Sequence, residues 1–195
     1  MLRLVAHASR RSVPSAYTSL QRSRTISAFG RQCMSAMSSA QAPHPPPHFT
    51  APDDRYREKV QSSFDRQAAM RSAGAEIVSI APGVVELVAP HKADFTQQHG
   101  FLHAGFIAML LDSAAGYAAF SLMPPGSAVL TVEFKVNLLR PAVCQGGIRA
   151  AGRVLRAGKR VSVVEAVAED VTDGKLIATM TATVMTMENS DKVSE

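Results

Sequence analysis

The sequence predicts an α+β domain in which antiparallel strands wrap one long buried helix, with a second helix on its N-terminal side. Three observations carry that expectation. From about Gly105 to Met123 every residue is apolar or Gly except Asp112, Ser113, Tyr117 and Ser121, which is too hydrophobic all round for a surface helix. Two strand-like runs precede that stretch and four follow it. Turn signals join the runs within each group, so neighbouring strands pair antiparallel.

In chain order, residues 1–40 form a leader. Arg3, Arg10, Arg11, Arg22, Arg24 and Arg31 all precede Asp53, the first acidic residue, and nine serines occur by Ser39. An Arg-rich, Ser-rich, acid-free segment without a sustained apolar run reads as an organelle transit peptide, with the mitochondrial matrix as destination and the cytoplasm as second choice. The bland alternative is a disordered basic tail. Six of the 21 basic residues lie in this leader, leaving 15 against 16 acidic ones, so the folded part carries about −1. It lacks the single-sign field that nucleic-acid binding needs. Residues 41–53, rich in proline, read as an extended, solvated linker in which His44 and His48 are spacers. Cys33 and Cys144 fall on opposite sides of the linker and make no intradomain disulfide, which fits a reducing compartment.

The domain spans 54–190. Asp54 to Ala73 reads as one amphipathic helix, with Tyr56, Val60, Phe64, Ala68 and Met70 at mixed spacings among charges, mostly four residues apart, ended by Gly74. Ala75 to Ala81 and Val84 to Ala89 flank Pro82-Gly83 and pair as a hairpin. For the long apolar helix a membrane span is disfavoured, because Asp112 inside it costs about 2.5–3.5 kcal/mol on an insertion scale and strand-forming segments flank it. No transmembrane segment is expected. Ala114, Ala115, Gly116, Ala118 and Ala119 let strands approach closely, and Pro124-Pro125-Gly126 stops the helix. Ser127 to Leu138 then alternates, with Ala128, Leu130, Val132, Phe134, Val136 and Leu138 on one face and Thr131, Glu133, Lys135 and Asn137 on the other. Ile148 to Leu155, Val161 to Val171 and Leu176 to Met187 complete a four-strand meander through turns at Ala157-Gly158-Lys159 and Asp173-Gly174.

Asp112 is the residue this pattern does not explain. A carboxylate in an apolar helix is costly unless paired or at work. It is a candidate general base, or a nucleophile toward an activated carbonyl. The alternative is an N-cap for a helix beginning at Ser113, against which the apolar pattern runs straight through Asp112. His91 and His99 have no partner ligands at metal-site spacing, and neither a Gly-rich phosphate loop nor a Gly-x-Ser-x-Gly elbow occurs, so no metal or cofactor is expected.

Gly100-x-x-His103-x-Gly105 opening an apolar helix that holds Asp112, followed by the strand LTVEFKVNLLRPA from Leu130 to Ala142, resembles the hotdog-fold acyl-CoA thioesterases of the phenylacetic-acid-degradation (PaaI-like) type. The resemblance covers roughly Ala75 to Met187. It implies a curved antiparallel sheet around a central helix, dimers that often pair into tetramers, and hydrolysis of a fatty or aromatic acyl-CoA to free acid and coenzyme A. It also implies an oxyanion-binding N–H on Ala104, a motif histidine at His103, a carbonyl-contacting side chain at Gln97 and a water-orienting hydroxyl at Thr131. Gln97 and Ala104-Gly105 stand where many members have Asn and a Gly pair, so the oxyanion role needs an Ala104 backbone that is not left-handed. Gly105 permits close backbone approach at the helix start, where unpaired N–H groups stabilise a developing oxyanion. His103 and Thr131 each have an ordinary structural reading beside the functional one, as helix-start support and as a strand residue.

Arg149, Arg153, Arg156, Lys159 and Arg160 cluster around the Ala157-Gly158 turn. Arg156, Lys159 and Arg160 are candidates for the phosphates of coenzyme A; the alternative is a charged tip that keeps a sheet edge soluble. Two other function classes are weighed: a non-catalytic acyl-CoA-binding protein, and a hotdog enzyme of another reaction type such as a hydratase. His103 and Asp112 lie nine residues apart, about 900° of helical rotation and roughly 13 Å of rise, so their side chains point to opposite sides. A two-fold homodimer is therefore expected to build each site from both subunits.

Overall fold

A computed structural model describes residues 48–188; the leader with its transit-peptide reading and linker residues 41–47 lie outside the described residues. Phe49, placed by sequence in a solvated linker, packs against the core under the first hairpin turn, where a Cβ on Gly83 would stand 2.7 Å from its ring.

The first helical segment is two helices, α1 at Tyr56–Arg66 and α2 at Ala68–Ala73, instead of one. Gln67 is extended (φ −69, ψ 107) and separates them. The break lets Val60 and Phe64 of α1 and Met70 and Ala73 of α2 all turn inward. Gly74, at φ 68, ends α2 in the left-handed conformation that suits glycine.

Two strands follow, β1 at Glu76–Ala81 and β2 at Val84–Ala89, hairpinned at Pro82-Gly83 as expected. After a short 3₁₀ turn at Ala93–Phe95 comes the long helix α3, Ala104–Phe120, whose cap is His103 and whose course runs unbroken through Asp112. Twelve of its 17 residues are buried, which makes it the centre of the core. Gly152 shows how closely the sheet approaches it: a Cβ there would sit 2.3 Å from the Ala114 carbonyl oxygen. At the far end Ser121 Oγ donates to Ala118 O (2.7 Å) and accepts from Gly83 N–H (2.8 Å), tying the helix end to the first hairpin.

The remaining strands are β3 at Ala128–Leu138, β4 at Ile148–Arg156, β5 at Val161–Asp170 and β6 at Leu176–Met187. The six form one antiparallel sheet in the order β1-β2-β4-β5-β6-β3. Only β4, β5 and β6 make the expected meander. The chain crosses under α3, lays β3 on the far edge beside β6, and returns through residues 139–147 to place β4 in the middle.

β3 also departs from its expected faces. A bulge at Val132 shifts the register, so that Thr131 pairs with Val184 and Glu133 with Thr183. Val184, Ala182, Met180 and Ala178 of β6 are buried beneath the helix, so their partners Thr131, Phe134, Val136 and Leu138 share the helix-facing side. Leu130, opposite Met185, is turned to the outer face. One extra residue has inverted the alternation for half the strand.

Candidate active site

Asp112 lies on the second turn and a half of α3, on the face between the sheet and α1, and is partly exposed. The Val132 bulge turns Thr131 toward it, and Thr131 Oγ1 donates to Asp112 Oδ1 across 2.8 Å. This pair, which the sequence placed on separate elements and by resemblance alone, joins two expected site residues from different elements. It opens onto a chamber of about 730 Å³. Ser113, Gly116, Tyr117 and Phe120 of α3 form its floor, Ser127 to Thr131 one wall, and Ser63, Arg66 and Gln67 the other.

Burial raises the pKa of the Tyr117 hydroxyl, which lies 3.3 Å from Ser63 Oγ. Ser113 Oγ and Gln67 Oε1 are 3.4 Å apart, so the break between α1 and α2 holds an amide at the chamber edge.

The start of α3 is a separate construction. His103 is the N-cap: its Nδ1 accepts from Gly105 N–H at 2.9 Å and its carbonyl from Phe106 N–H at 3.0 Å, while its own N–H donates to Phe95 O at 2.8 Å. Of the four N–H groups that a helix start leaves without intrahelical acceptors, these account for three, and the fourth is that of Ala104. The only left-handed non-glycine among the described residues is Cys144, so the Ala104 backbone meets the condition set by its sequence. Gly105 is needed for the cap, since a Cβ there would stand 3.1 Å from His103 Nδ1. His103 thus has a clear structural role.

Gln97 is close by in the fold. Its Oε1 accepts from His99 N–H (2.7 Å), and with Ala104, Ile107 and Leu138 to Ala142 it lines a second cavity of about 470 Å³. No residue lines both cavities. Ala104 and Asp112 are eight residues apart on one continuous helix, about 12 Å of rise. The structure therefore groups Asp112 with Thr131, and Gln97 with Ala104 beside the His103–Gly105 cap, without joining the two groups in one chain.

Of the basic cluster, Arg149 is paired with Glu169 and Arg153 with Glu165, the latter at 2.7 Å, across β4 and β5. Arg156, Lys159 and Arg160 remain exposed at the turn. Arg160 O accepts from Thr186 N–H (2.9 Å), and Thr186 pairs with Val129 of the chamber wall, so the turn lies at the chamber's end of the sheet. Sequence reading missed Gly116 and Tyr117, although Gly116 is one helical turn beyond Asp112. It had no means to place Ser63 and Arg66 of α1 and Gln67 at the break after it, which arrive from some fifty residues earlier through tertiary packing.

Among the described residues no helix is long and apolar enough to cross a membrane. The thioesterase superfamily pattern matches residues 99–177. The crystal structure of a thioesterase family protein from Silicibacter pomeroyi is 50% identical, with a TM-score of 0.66, covering 68% of this chain and 98% of that one. A proposed esterase of Saccharolobus solfataricus is 36% identical over 101 residues, 52% of this chain and 70% of that protein. The PaaI protein of E. coli, from the phenylacetic acid degradation operon, has a TM-score of 0.61 at 21% identity over 67% of this chain and 92% of its own, a likeness of fold alone. The sheet wrapped on α3 is the hotdog fold, and the chain belongs to the thioesterase superfamily.

Proposed function

We propose that this protein is an acyl-CoA thioesterase of the PaaI-like type, which hydrolyses a fatty or aromatic acyl-CoA to free acid and coenzyme A. Superfamily membership supports thioester hydrolysis in general. The observation that carries the finer reading is the Asp112 carboxylate, held by Thr131 at 2.8 Å at the edge of a chamber of about 730 Å³, a size suited to a small-molecule ligand.

In this reading Asp112 takes a proton from water, whose oxygen adds to the thioester carbon; as a nucleophile it adds there itself, the thiolate leaves, and water then hydrolyses the resulting mixed anhydride, releasing the free acid, restoring the Asp112 carboxylate and supplying the proton for the thiolate. The carbonyl oxygen, now negative, accepts from Ala104 N–H at a helix start, with Gln97 beside it. When the C–S bond breaks, the thiolate of coenzyme A leaves with the proton. Thr131 orients the carboxylate and the water. Arg156, Lys159 and Arg160 meet the nucleotide phosphates.

The two half-sites come together in a homodimer. β3 is an edge strand, and Leu130 (51% exposed), Val132 (57%), Phe134 (44%) and Leu138 (51%) leave it strongly apolar in a single chain. Such an edge is a template for another strand. Antiparallel pairing of β3 with β3 of a second copy, about a two-fold near the strand centre, sets the Leu138 end of one subunit beside the Leu130–Thr131 end of the other. The Leu138 end carries the cavity of Gln97 and Ala104, and the Thr131 end carries the chamber of Asp112. Pairs of dimers form the tetramer. The leader addresses the protein to the mitochondrial matrix.

The test is thiol release from a panel of acyl-CoAs of different length and aromaticity. Turnover well above background is expected; binding of acyl-CoA without thiol release would favour a non-catalytic binding protein.

A further inference from the structure

Gly116 is a glycine that packing does not explain. It stands in the middle of α3, where glycine weakens a helix relative to alanine. Its backbone is helical, so no left-handed conformation calls for it. Gly152, by contrast, has no room for a side chain against Ala114. A Cβ on Gly116 would meet nothing within 4 Å. The space it leaves open is the chamber itself, one turn of helix beyond Asp112 and one turn before Phe120.

We infer that Gly116 sets the length of acyl group the enzyme accepts. The inference rests on the thioesterase reading. With the thioester at Asp112, the acyl chain runs along α3 over Gly116 toward Phe120, between Ser127 with Ala128–Leu130 of β3 on one side and Ser63 of α1 on the other. Tyr117 and Phe120 are buried and held edge-on to each other at 6.3 Å, and Phe64 supports Tyr117 at 5.7 Å. The floor beyond Gly116 is therefore rigid, and any side chain added at Gly116 subtracts directly from the depth available to the acyl chain.

The test measures kcat/KM on a series of saturated straight-chain acyl-CoAs for the full protein and for Gly116→Ala and Gly116→Leu, with oligomeric state and Tm recorded for each. The methyl of Gly116→Ala fits the open space, so this variant carries the test even if Gly116→Leu folds poorly. The ratio of kcat/KM for long over short chains is expected to fall about tenfold in Gly116→Ala, the effect of about one methylene in a pocket, and further in Gly116→Leu. Its Tm is expected to rise by about 2–4 °C as helix propensity improves. A Gly116→Ala variant with an unchanged chain-length profile overturns the inference while leaving the thioesterase reading standing. So does one whose dimer weakens with the profile unchanged, since the glycine then serves contact with the second copy. Absence of turnover in the unaltered protein refutes the thioesterase reading itself and the inference with it.

Discussion

Removing the hydroxyl that holds Asp112 separates positioning from packing. Thr131→Val keeps the size and β-branching of the side chain on β3 but deletes the donor that reaches Asp112 Oδ1 at 2.8 Å. A hydrogen bond to a charged group contributes about 1.5–3 kcal/mol. Asp112 is partly exposed, so water replaces part of what is lost, which places the effect near the lower half of that range. At about 1.4 kcal/mol per factor of ten, kcat is expected to fall about 10- to 40-fold. KM stays within about threefold, because the bond holds a catalytic group and not the substrate. Tm moves by no more than about 2–4 °C, since valine suits a strand. The assay is steady-state thiol release with Thr131→Ser as a control, which restores the donor and most of the turnover. In the background of Asp112→Asn the valine substitution should add little, because its partner is already gone. Turnover of Thr131→Val within twofold of the unaltered protein, or no recovery in Thr131→Ser, would refute the role assigned to this contact.

Further outcomes follow from other parts of the fold. Asp112→Asn is nearly isosteric and should lower kcat by about 10²–10⁴-fold with little change in binding, measured by the same assay. Gly152→Ala forces a Cβ toward the Ala114 carbonyl and should destabilise the domain by about 1–3 kcal/mol in urea unfolding. A chain beginning at His48 should fold with full activity, whereas one beginning at Ala51 loses Phe49 from under Gly83 and should melt lower. The Cys144 thiol is fully buried and pushed up to about 12 by desolvation, so a thiol reagent at pH 8 should modify it only after denaturant is added. A fluorescent protein fused behind residues 1–45 should enter mitochondria, and a diffuse cytosolic signal would refute the address.

The elements that were legible in the sequence are those set by local pattern. α3 declared itself because its apolar run exceeds what a surface helix carries, and the β1–β2 and β5–β6 hairpins because Pro82-Gly83 and Asp173-Gly174 mark their turns. Asp112 stood out for the same reason, as a break in that run. What was not legible depends on distant partners. Gln67 is an ordinary helix residue, and the break there reflects how Phe64 and Met70 dock on the core, which no local signal announces. The position of β3 beside β6 is a choice among long-range pairings. The Val132 bulge was hidden because apolar residues continue in alternation across it, on the outer face before it and on the inner face after it. That misread alternation has a physical meaning in the dimer proposed above. In that proposal the second copy covers the apolar side chains of β3 that one chain leaves exposed, Leu130 before the bulge, Val132 at it, and Phe134 and Leu138 after it.

The shared site is tested most directly by subunit exchange. Asp112→Asn removes the carboxylate while leaving the helix start intact, and Gly105→Val breaks the His103 cap while leaving Asp112 intact. Each variant alone is expected to be inactive. When the two are mixed and allowed to exchange, a heterodimer carries one doubly damaged site and one site in which an intact Asp112 faces an intact helix start. Verified heterodimers should recover up to about half the activity of the unaltered dimer if the sites act independently. Heterodimers as inactive as their parents would contradict the arrangement and leave Asp112 to serve a site within its own chain.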